Sequence, residues 1–141
     1  MAAMTLDDGE EVIFLDIETI HFCHDQALKS GGLDGHLKIA DLKSALGRPQ
    51  NAHVYEREDD LIVLAAYLWH GVSSAHGYCD ANKRTALLAA LVFLEANGIE
   101  ADINVTASEP GLFIEDCYKN DSFEIPVLDV FLRSRCHWSE L

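Results

Sequence analysis

The feature that most constrains this chain is a run of nine apolar residues, Ala86–Leu94, with the sequence ALLAALVFL. At 3.6 residues per turn, such a run places apolar side chains on every side of a helix. A helix without a polar face is stable only where other elements surround it, so we expect a buried central helix in a helical domain. The run is far shorter than the ~18 residues of a membrane span, so we expect no membrane partner.

The rest of the chain has the spacing of further helices and almost no alternating strand pattern. Since no repeat or linker interrupts it, we predict one all-α domain, residues 1–141, with about six helices around the central one. Asp16 is predicted to cap the first helix, Gly47 and Pro49 to end the second, and residues 106–109 to form a capping box for the fifth. The helices are predicted at 17–28, 39–46, 61–74, 83–96, 106–118 and 126–135. An exposed connection is predicted at 47–56, and a brief strand within 99–105.

The chain has 24 acidic and 10 basic residues, which gives a formal net charge of −14. This sign opposes contact with phosphate backbones and anionic lipids, so we expect no direct nucleic-acid binding and no membrane binding. The N-terminal sequence MAAMTLDDGEEV lacks the basic and apolar parts of a signal peptide, and we therefore expect a cytoplasmic protein. One hypothesis for the strong charge is a salt-adapted host. The cysteines form no CxxC pair and are expected to be free thiols: Cys23, Cys79, Cys117 and Cys136.

A polar segment, HGYCDANKR at residues 76–84, runs directly into the central helix. The N-terminus of that helix offers free backbone N–H groups and the positive end of the helix dipole, which favour a phosphate. Beside a phosphate, His76 has the chemistry of a base that takes a proton from a hydroxyl. Asp80, together with nucleotide phosphates, suits Mg²⁺ because that ion keeps several of its waters.

The remaining residues of the segment suit the phosphate itself. The small Ala81 lets the backbone approach, and Asn82 can donate its side-chain amide to a phosphate oxygen. Lys83 supplies a point charge and Arg84 a two-pronged clamp, so the segment covers the roles that phosphoryl transfer needs. Taken singly, each residue also fits a structural role, such as a helix cap, a surface imidazole or an ion pair with one of the 24 acids.

The sequence HGYCDANKRTALLAALVFLEANG resembles the active-site motif and following helix of the Fic/Doc family, HxFx(D/E)GN(G/K)R. It is most similar to the death-on-curing (Doc) branch, whose motif reads HxFxDANKRTA, with Tyr78 here in place of the phenylalanine. Upstream, FLDIETIHFCHDQALKSGG is similar to the family's first helix, and LKSALGRPQ to its second helix and loop. The similarity extends over residues 14–99.

The resemblance implies roles for six residues: His76 as the base, Asp80 as the Mg²⁺ ligand, and Ala81, Asn82, Lys83 and Arg84 as the phosphate site. It implies ATP and Mg²⁺ as cofactors. Doc-branch proteins are toxins that move the terminal phosphate of ATP to a Ser or Thr hydroxyl, with elongation factor Tu as their best-known target, and so arrest translation. A cognate antitoxin with a disordered C-terminal tail is the implied partner.

Two other functions remain open at this point. Fic relatives that transfer AMP to a protein hydroxyl have a glycine at the position of Lys83 and a second arginine at that of Leu87, so these two residues favour phosphate transfer. A non-catalytic Fic-fold binding module has no need of a base or a metal carboxylate, and His76 and Asp80 therefore disfavour it.

A zinc site formed by His21, His24 and Cys136 is a further alternative. The two histidines share a helix face at i, i+3, but nothing in the sequence brings the C-terminal cysteine to them. Because His24-Asp25 also matches an ordinary dipeptide of the family's first helix, we favour a site without zinc.

Overall fold

The computed structural model describes residues 2–140, and this part of the chain contains six helices and two short strands. The elements are α1 (Ile17–Leu28), α2 (Ile39–Tyr55), α3 (Leu61–Ala75), α4 (Asn82–Ala96), β1 (Ile99–Ala101), α5 (Ser108–Lys119), α6 (Ile125–Arg133) and β2 (Cys136–Trp138). The predicted all-α helical domain is confirmed. Over the described range, no helix is long and apolar enough to cross a membrane.

Helix α4 lies at the centre, packed against α3 and α1 and followed directly by β1. Its fully buried residues include Ala86, Ala90 and Phe93, and α3 contributes a core that is apolar along most of its length. The predicted buried central helix is therefore confirmed, although Leu88 and two residues of the next turn are only half-buried. The N-terminal end of α4 reaches the surface, where the polar segment lies.

Several helix ends follow the sequence signals closely. Asp16 caps α1, where its Oδ1 accepts a hydrogen bond from the Thr19 N–H at 2.9 Å. Asp60 caps α3 through the Ile62 N–H at 3.0 Å. Gly98 follows α4 with φ of 86°, a conformation that glycine adopts without strain. Short-range capping chemistry therefore sets these boundaries.

The prediction that Gly47 and Pro49 end the second helix, and that 47–56 is an exposed connection, is wrong. The helix continues through Pro49 to Tyr55, and the proline itself is buried. Pro49 cannot donate to the Ala45 carbonyl, one turn earlier. Close packing on α3 offsets that loss: a Cβ at Gly71 would lie 3.3 Å from the Ala45 carbonyl oxygen, so the two helices approach where a side chain is missing.

The C-terminal part differs from the prediction at two points. The predicted capping box at 106–109 does not form, because the Thr106 hydroxyl donates to Asn104 Oδ1 at 2.7 Å and Ala107 becomes the N-cap residue. Residues after α6 form β2, which pairs antiparallel with β1 so that Ile99 lies opposite Trp138. A strand of three residues is too short to show an alternating pattern, so the sequence did not indicate β2.

Candidate active site

The N-terminus of α4 opens into a cleft of about 330 Å³. The six residues predicted for the site all line this cleft: His76, Asp80, Ala81, Asn82, Lys83 and Arg84. Ser73, Cys79 and Tyr118 complete the lining. The structure thus brings every predicted site residue to one opening, and it adds Tyr118, which the sequence did not single out and which comes from α5.

Two residues with left-handed backbone conformation bracket the loop between α3 and α4. His76 has φ of 50° and ψ of 44°, and Ala81 has φ of 64° and ψ of 21°. Outside glycine this conformation costs roughly 1–2 kcal/mol per residue, so other contacts must hold the loop. The exposed His76 imidazole makes no hydrogen bond to another described residue and is therefore accessible to a substrate.

Asn82 locks the loop through its side-chain amide. Its Oδ1 accepts a hydrogen bond from the Tyr78 N–H at 3.1 Å, and its Nδ2 donates to the Tyr78 carbonyl at 2.9 Å. The amide has a second N–H on Nδ2, which leaves one donor for a ligand. Asn82 therefore has a structural role in addition to the phosphate contact predicted from the sequence.

The carboxylate of Asp80 is held by two backbone N–H groups. Ala81 N–H donates to Oδ1 at 2.8 Å and Leu33 N–H donates to Oδ2 at 3.2 Å. These hydrogen bonds, with the nearby charge of Arg84, hold the pKa of Asp80 below its usual value. The group is therefore an ionised carboxylate at neutral pH, and each oxygen retains acceptor capacity for a cation.

Arg84 reaches across to the end of α1. Its Nη1 donates to the Ala27 carbonyl at 2.8 Å and its Nη2 to the Gly31 carbonyl at 2.7 Å. Two of the five guanidinium donors are thus used within the protein, and three remain. The two-pronged clamp on phosphate predicted for Arg84 therefore depends on these three remaining donors.

Lys83 lines the cleft beside Tyr118. Its Nζ lies 4.2 Å from the ring centroid of Tyr118, within the range of a cation–π contact. The Tyr118 hydroxyl lies 2.6 Å from the hydroxyl of Ser73, which is buried in the last turn of α3. Tyr118 therefore connects the start of α4 with the end of α3.

Beneath the loop, Tyr78 fills the position where the family motif has phenylalanine. Its ring is buried and stacks on His24, with centroids 3.7 Å apart. Its hydroxyl lies 2.7 Å from Nδ1 of His21, so the extra polar atom has a partner. Burial raises the pKa of Tyr78, which keeps the hydroxyl protonated. His24 in turn donates from Nε2 to the Asp80 carbonyl at 3.1 Å, which ties α1 to the metal-ligand candidate.

The segment between α1 and α2 pairs with the loop along its length. Leu37 N–H donates to the Gly77 carbonyl and Cys79 N–H to the Gly35 carbonyl, each at 2.9 Å. A Cβ at Gly35 would lie 2.8 Å from the Cys79 sulfur, so the close approach requires glycine at this position. The sequence signal for this contact is the glycine-rich stretch at 31–35, which local patterns do not assign to the site.

The structure gives no support to the zinc alternative. Within residues 2–140, no three His, Cys, Asp or Glu side chains are grouped to hold a metal ion. Nδ1 of His21 and Nε2 of His24 are engaged with Tyr78 and Asp80 as described. Cys136 lies in β2, and its thiol is free, as are those of the other three cysteines.

Mg²⁺ and a nucleotide phosphate fit the donors at the cleft. Asp80 provides one ionised carboxylate for the metal. A Cβ at position 32 would lie 3.0 Å from Asp80 Oδ2, so the glycine at this position leaves space beside the carboxylate. The first backbone hydrogen bond of α4 runs from Thr85 N–H to the Ala81 carbonyl at 2.9 Å. The N–H groups before Thr85 have no acceptor within the helix, which suits an anion.

This chain is similar to known proteins over a segment that includes the loop between α3 and α4. The family model described as "Fic/DOC family" matches residues 14–94. The protein named "Protein kinase doc" of Escherichia phage P1 is 36% identical over 85 residues, covering 55% of this chain and 68% of that protein. The protein named "Toxin Doc" of Mycolicibacterium smegmatis is 40% identical over 82 residues, covering 53% of this chain and 62% of that protein. The match to the family model ends within α4, so it includes the loop and excludes α5 and α6.

Proposed function

The chain belongs to the Fic/DOC family, and within it to the Doc branch, and on this premise we propose that it is a Doc-like toxin with protein kinase activity. It transfers the terminal phosphate of ATP to a Ser or Thr hydroxyl of a translation factor, with elongation factor Tu as the expected target. The observation that carries the proposal is the cleft at the start of α4, which His76, Asp80 and Lys83 line together.

His76 is the residue that acts on the target hydroxyl. Its imidazole is exposed at the end of α3, and a base must come within hydrogen-bond reach of the proton that it takes. It accepts the hydroxyl proton as the oxygen attacks the terminal phosphorus and ADP leaves. The left-handed backbone at His76 directs the chain out of α3 and across the cleft, which keeps the base next to the phosphate site.

Asp80 and the first turn of α4 hold the nucleotide. The carboxylate binds the metal, while the backbone N–H groups and Lys83 contact the phosphates. When bound, Mg²⁺ neutralises phosphate charge and helps to orient the transferred group. Arg84, held at the end of α1 by Ala27 and Gly31, contributes its remaining N–H donors.

Two residues support transfer of the terminal phosphate rather than of AMP. Lys83 stands where adenylylating relatives have a glycine, and its side chain occupies part of the cleft beside Tyr118. Leu87 stands where those relatives have a second arginine, and it is 4% exposed, so it brings no charge to a nucleotide. An ATP molecule bound here therefore meets a different set of charges from the one that AMP transfer uses.

The toxin proposal also implies a partner that controls the activity. The name "Toxin Doc" of the mycobacterial relative supports a toxin–antitoxin pair, in which a cognate antitoxin with a disordered tail binds this chain. We further propose that the protein acts in the cytoplasm, where its target and ATP are found, and that it does not bind nucleic acid directly, in line with its net charge of −14.

Expression in a bacterial host tests the toxin and its base together. We expect induction of the wild type to stop growth and the incorporation of labelled methionine into protein, and His76→Ala to remove both effects at equal expression. His137→Ala is the matched control, since His137 is a half-exposed histidine on β2, outside the cleft. A His76→Ala variant as toxic as the wild type would disprove the role of His76 as the base.

A further inference from the structure

Tyr118 lies in the cleft but outside the segment that the family model matches. It comes from the last turn of α5, whereas the match ends at residue 94. Its side chain is 41% exposed, and it faces the same opening as His76 and Lys83. The ring of Tyr118 therefore comes from a part of the chain that the family model does not cover.

The ring of Tyr118 is fixed by contacts at its face and at its hydroxyl. Phe123 stacks on it with a centroid distance of 4.7 Å and an interplanar angle of 21°. The hydroxyl is 2.6 Å from that of Ser73, which is 1% exposed on α3. A ring held in this way offers a rigid surface to the Lys83 ammonium, whose Nζ lies 4.2 Å from the centroid.

We propose that Tyr118 is a positioning residue for Lys83: its ring holds the ammonium over the cleft, at the point where the phosphates of ATP arrive. This inference rests on the proposed function and adds to it a residue from α5. A lysine side chain has several rotatable bonds, and ordering it on binding lowers affinity. Since Tyr118 orders Lys83 in advance, ATP binds more tightly than it would to a mobile lysine.

The contact itself can be tested without nucleotide. Reductive methylation with ¹³C-formaldehyde keeps the charge of the five lysines and gives each a methyl signal in NMR. We expect the signal of Lys83, assigned by its loss in Lys83→Arg, to be shifted upfield by the ring current of Tyr118. The shift should persist in Tyr118→Phe and vanish in Tyr118→Leu.

Tyr55→Leu is the matched control, because Tyr55 is 80% exposed at the end of α2 and does not line the cleft. The Tyr55→Leu variant should show the same upfield shift of the Lys83 methyl signal as the wild type. A Lys83 signal without an upfield shift in the wild type, or one that is unchanged in Tyr118→Leu, would overturn the proposal.

Calorimetric titration with ATP and MgCl₂ tests the consequence for binding. We expect Tyr118→Leu to weaken ATP binding by about 2- to 5-fold, the range for a cation–π contact near solvent, and Tyr118→Phe to change it by less than about 2-fold. In a Lys83→Met background, Tyr118→Leu should have no further effect, because Tyr118 acts through Lys83. If Tyr118→Leu weakens ATP binding as much in the Lys83→Met background as in the wild type, Tyr118 acts without Lys83, and the proposal is overturned.

The two experiments also separate this inference from the proposed function. A wild-type protein that does not bind ATP would contradict the proposed kinase activity, and the NMR shift would still decide whether Tyr118 positions Lys83. A wild-type protein that binds ATP equally well after Tyr118→Leu would leave the kinase proposal standing and would refute the role of Tyr118.

Discussion

The side chains of Asp80, Asn82 and Arg84 each bond to backbone groups rather than to one another. Asp80 accepts from two N–H groups, Asn82 pairs with the N–H and carbonyl of Tyr78, and Arg84 donates to two carbonyls at the end of α1. At the residue scale, the polar segment therefore fixes its own loop before any ligand binds. Such preorganisation is what a site for charged phosphates requires, because it avoids reorganisation during the reaction.

Substituting Asp80 by asparagine removes the charge and keeps one of its two backbone hydrogen bonds, that from the Ala81 N–H, while the bond from the Leu33 N–H is lost. Asp80→Asn can still accept from the Ala81 N–H, so we expect a folded protein with a similar far-UV circular dichroism spectrum. Without the negative charge, binding of Mg²⁺ with ATP is lost, and phosphate transfer should fall by about 100-fold or more. Transfer of label from ATP at several Mg²⁺ concentrations measures this. Undiminished transfer in Asp80→Asn would exclude Asp80 as the metal ligand.

His70, on α3, makes folding stability depend on pH. Burial, together with the Arg48 guanidinium that donates to its Nδ1 at 3.0 Å, lowers the pKa of His70 below 6.5. The unfolded chain then binds the proton more readily than the folded one, so the stabilisation is complete above pH 6.5 and is lost as pH falls below it. The lowered pKa of His21 acts in the same direction.

We therefore expect the contribution of His70 to the free energy of unfolding to decrease from about pH 7.5 to about pH 5.5, against the opposing effect of a falling net negative charge. His70→Gln should flatten this dependence, since a glutamine accepts from Arg48 and takes up no proton. Urea unfolding at each pH measures the effect, with His137→Gln, at a half-exposed surface histidine, as the control. A dependence as steep in His70→Gln as in the wild type would rule out His70 as its source.

At the scale of elements, the close approach of α2 and α3 decides where α2 ends. Packing against α3 buries Leu42, Ala45, Leu46, Pro49 and Ala52 on one face of α2. Gly71, on α3, allows this approach, because a Cβ there would lie 3.2 Å from Arg48 Cδ and 3.3 Å from the Ala45 Cβ. Tertiary packing thus outweighs the local effect of Pro49 on the helix.

Two glycine-to-alanine changes test this packing against intrinsic helix preference. Gly71→Ala places a Cβ 3.2–3.3 Å from atoms of Arg48 and Ala45, so α2 must shift by a few tenths of an ångström, and we expect the free energy of unfolding to fall by about 1 kcal/mol. Gly47→Ala, inside α2 with no atom within 4 Å of the new Cβ, should raise it by about 0.5–1 kcal/mol. Urea unfolding of both variants measures the difference. If Gly71→Ala were stabilising as well, the account of the α2–α3 contact would fail.

These elements show which features the sequence could predict. Asp16, Asp60 and Gly98 act through bonds or conformations within a few residues, so capping rules place those helix ends correctly. Pro49 misled the prediction because its effect depends on a partner helix that is distant in sequence. The capping box at 106–109 failed because Asn104 competes for the Thr106 hydroxyl, a contact that the motif does not include.

The same distinction applies to the site. The six residues of the segment 76–84 could be named because they lie within nine residues of one another in the sequence and their chemistry suits a phosphate. Tyr118 and the glycine-rich stretch at 31–35 could not, because only the folded chain brings them to the loop. The further roles of Asn82 and Arg84, as partners of backbone groups, likewise depend on long-range geometry.

At the scale of the whole molecule, the charge of −14 sets a repulsion that folding must overcome. The cleft differs from this background, since Lys83 and Arg84 both line it. With Asp80 as the one acidic side chain among the described residues of its lining, the cleft carries more positive than negative charge, which would favour the proposed ATP over the rest of the anionic surface. The charge distribution is consistent with a protein that binds a nucleotide and not a nucleic acid.

Salt should stabilise the protein by screening this repulsion. We expect the melting temperature to rise steadily from about 0.05 M to about 0.5 M NaCl at neutral pH. Near the sequence pI of about 4.6 the net charge is close to zero, so the same salt range should have a much smaller effect. Differential scanning calorimetry at both pH values measures the contrast. A melting temperature independent of salt at neutral pH would show that the net charge does not limit stability.

The most direct test of the central claim is transfer of ³²P to purified elongation factor Tu from γ-labelled ATP and, separately, from α-labelled ATP. We predict label from the γ position alone, dependent on Mg²⁺ and lost in His76→Ala. Label from the α position would contradict phosphate transfer and identify an adenylyltransferase, in spite of Lys83 and Leu87. Label from neither position would contradict elongation factor Tu as the target of this site.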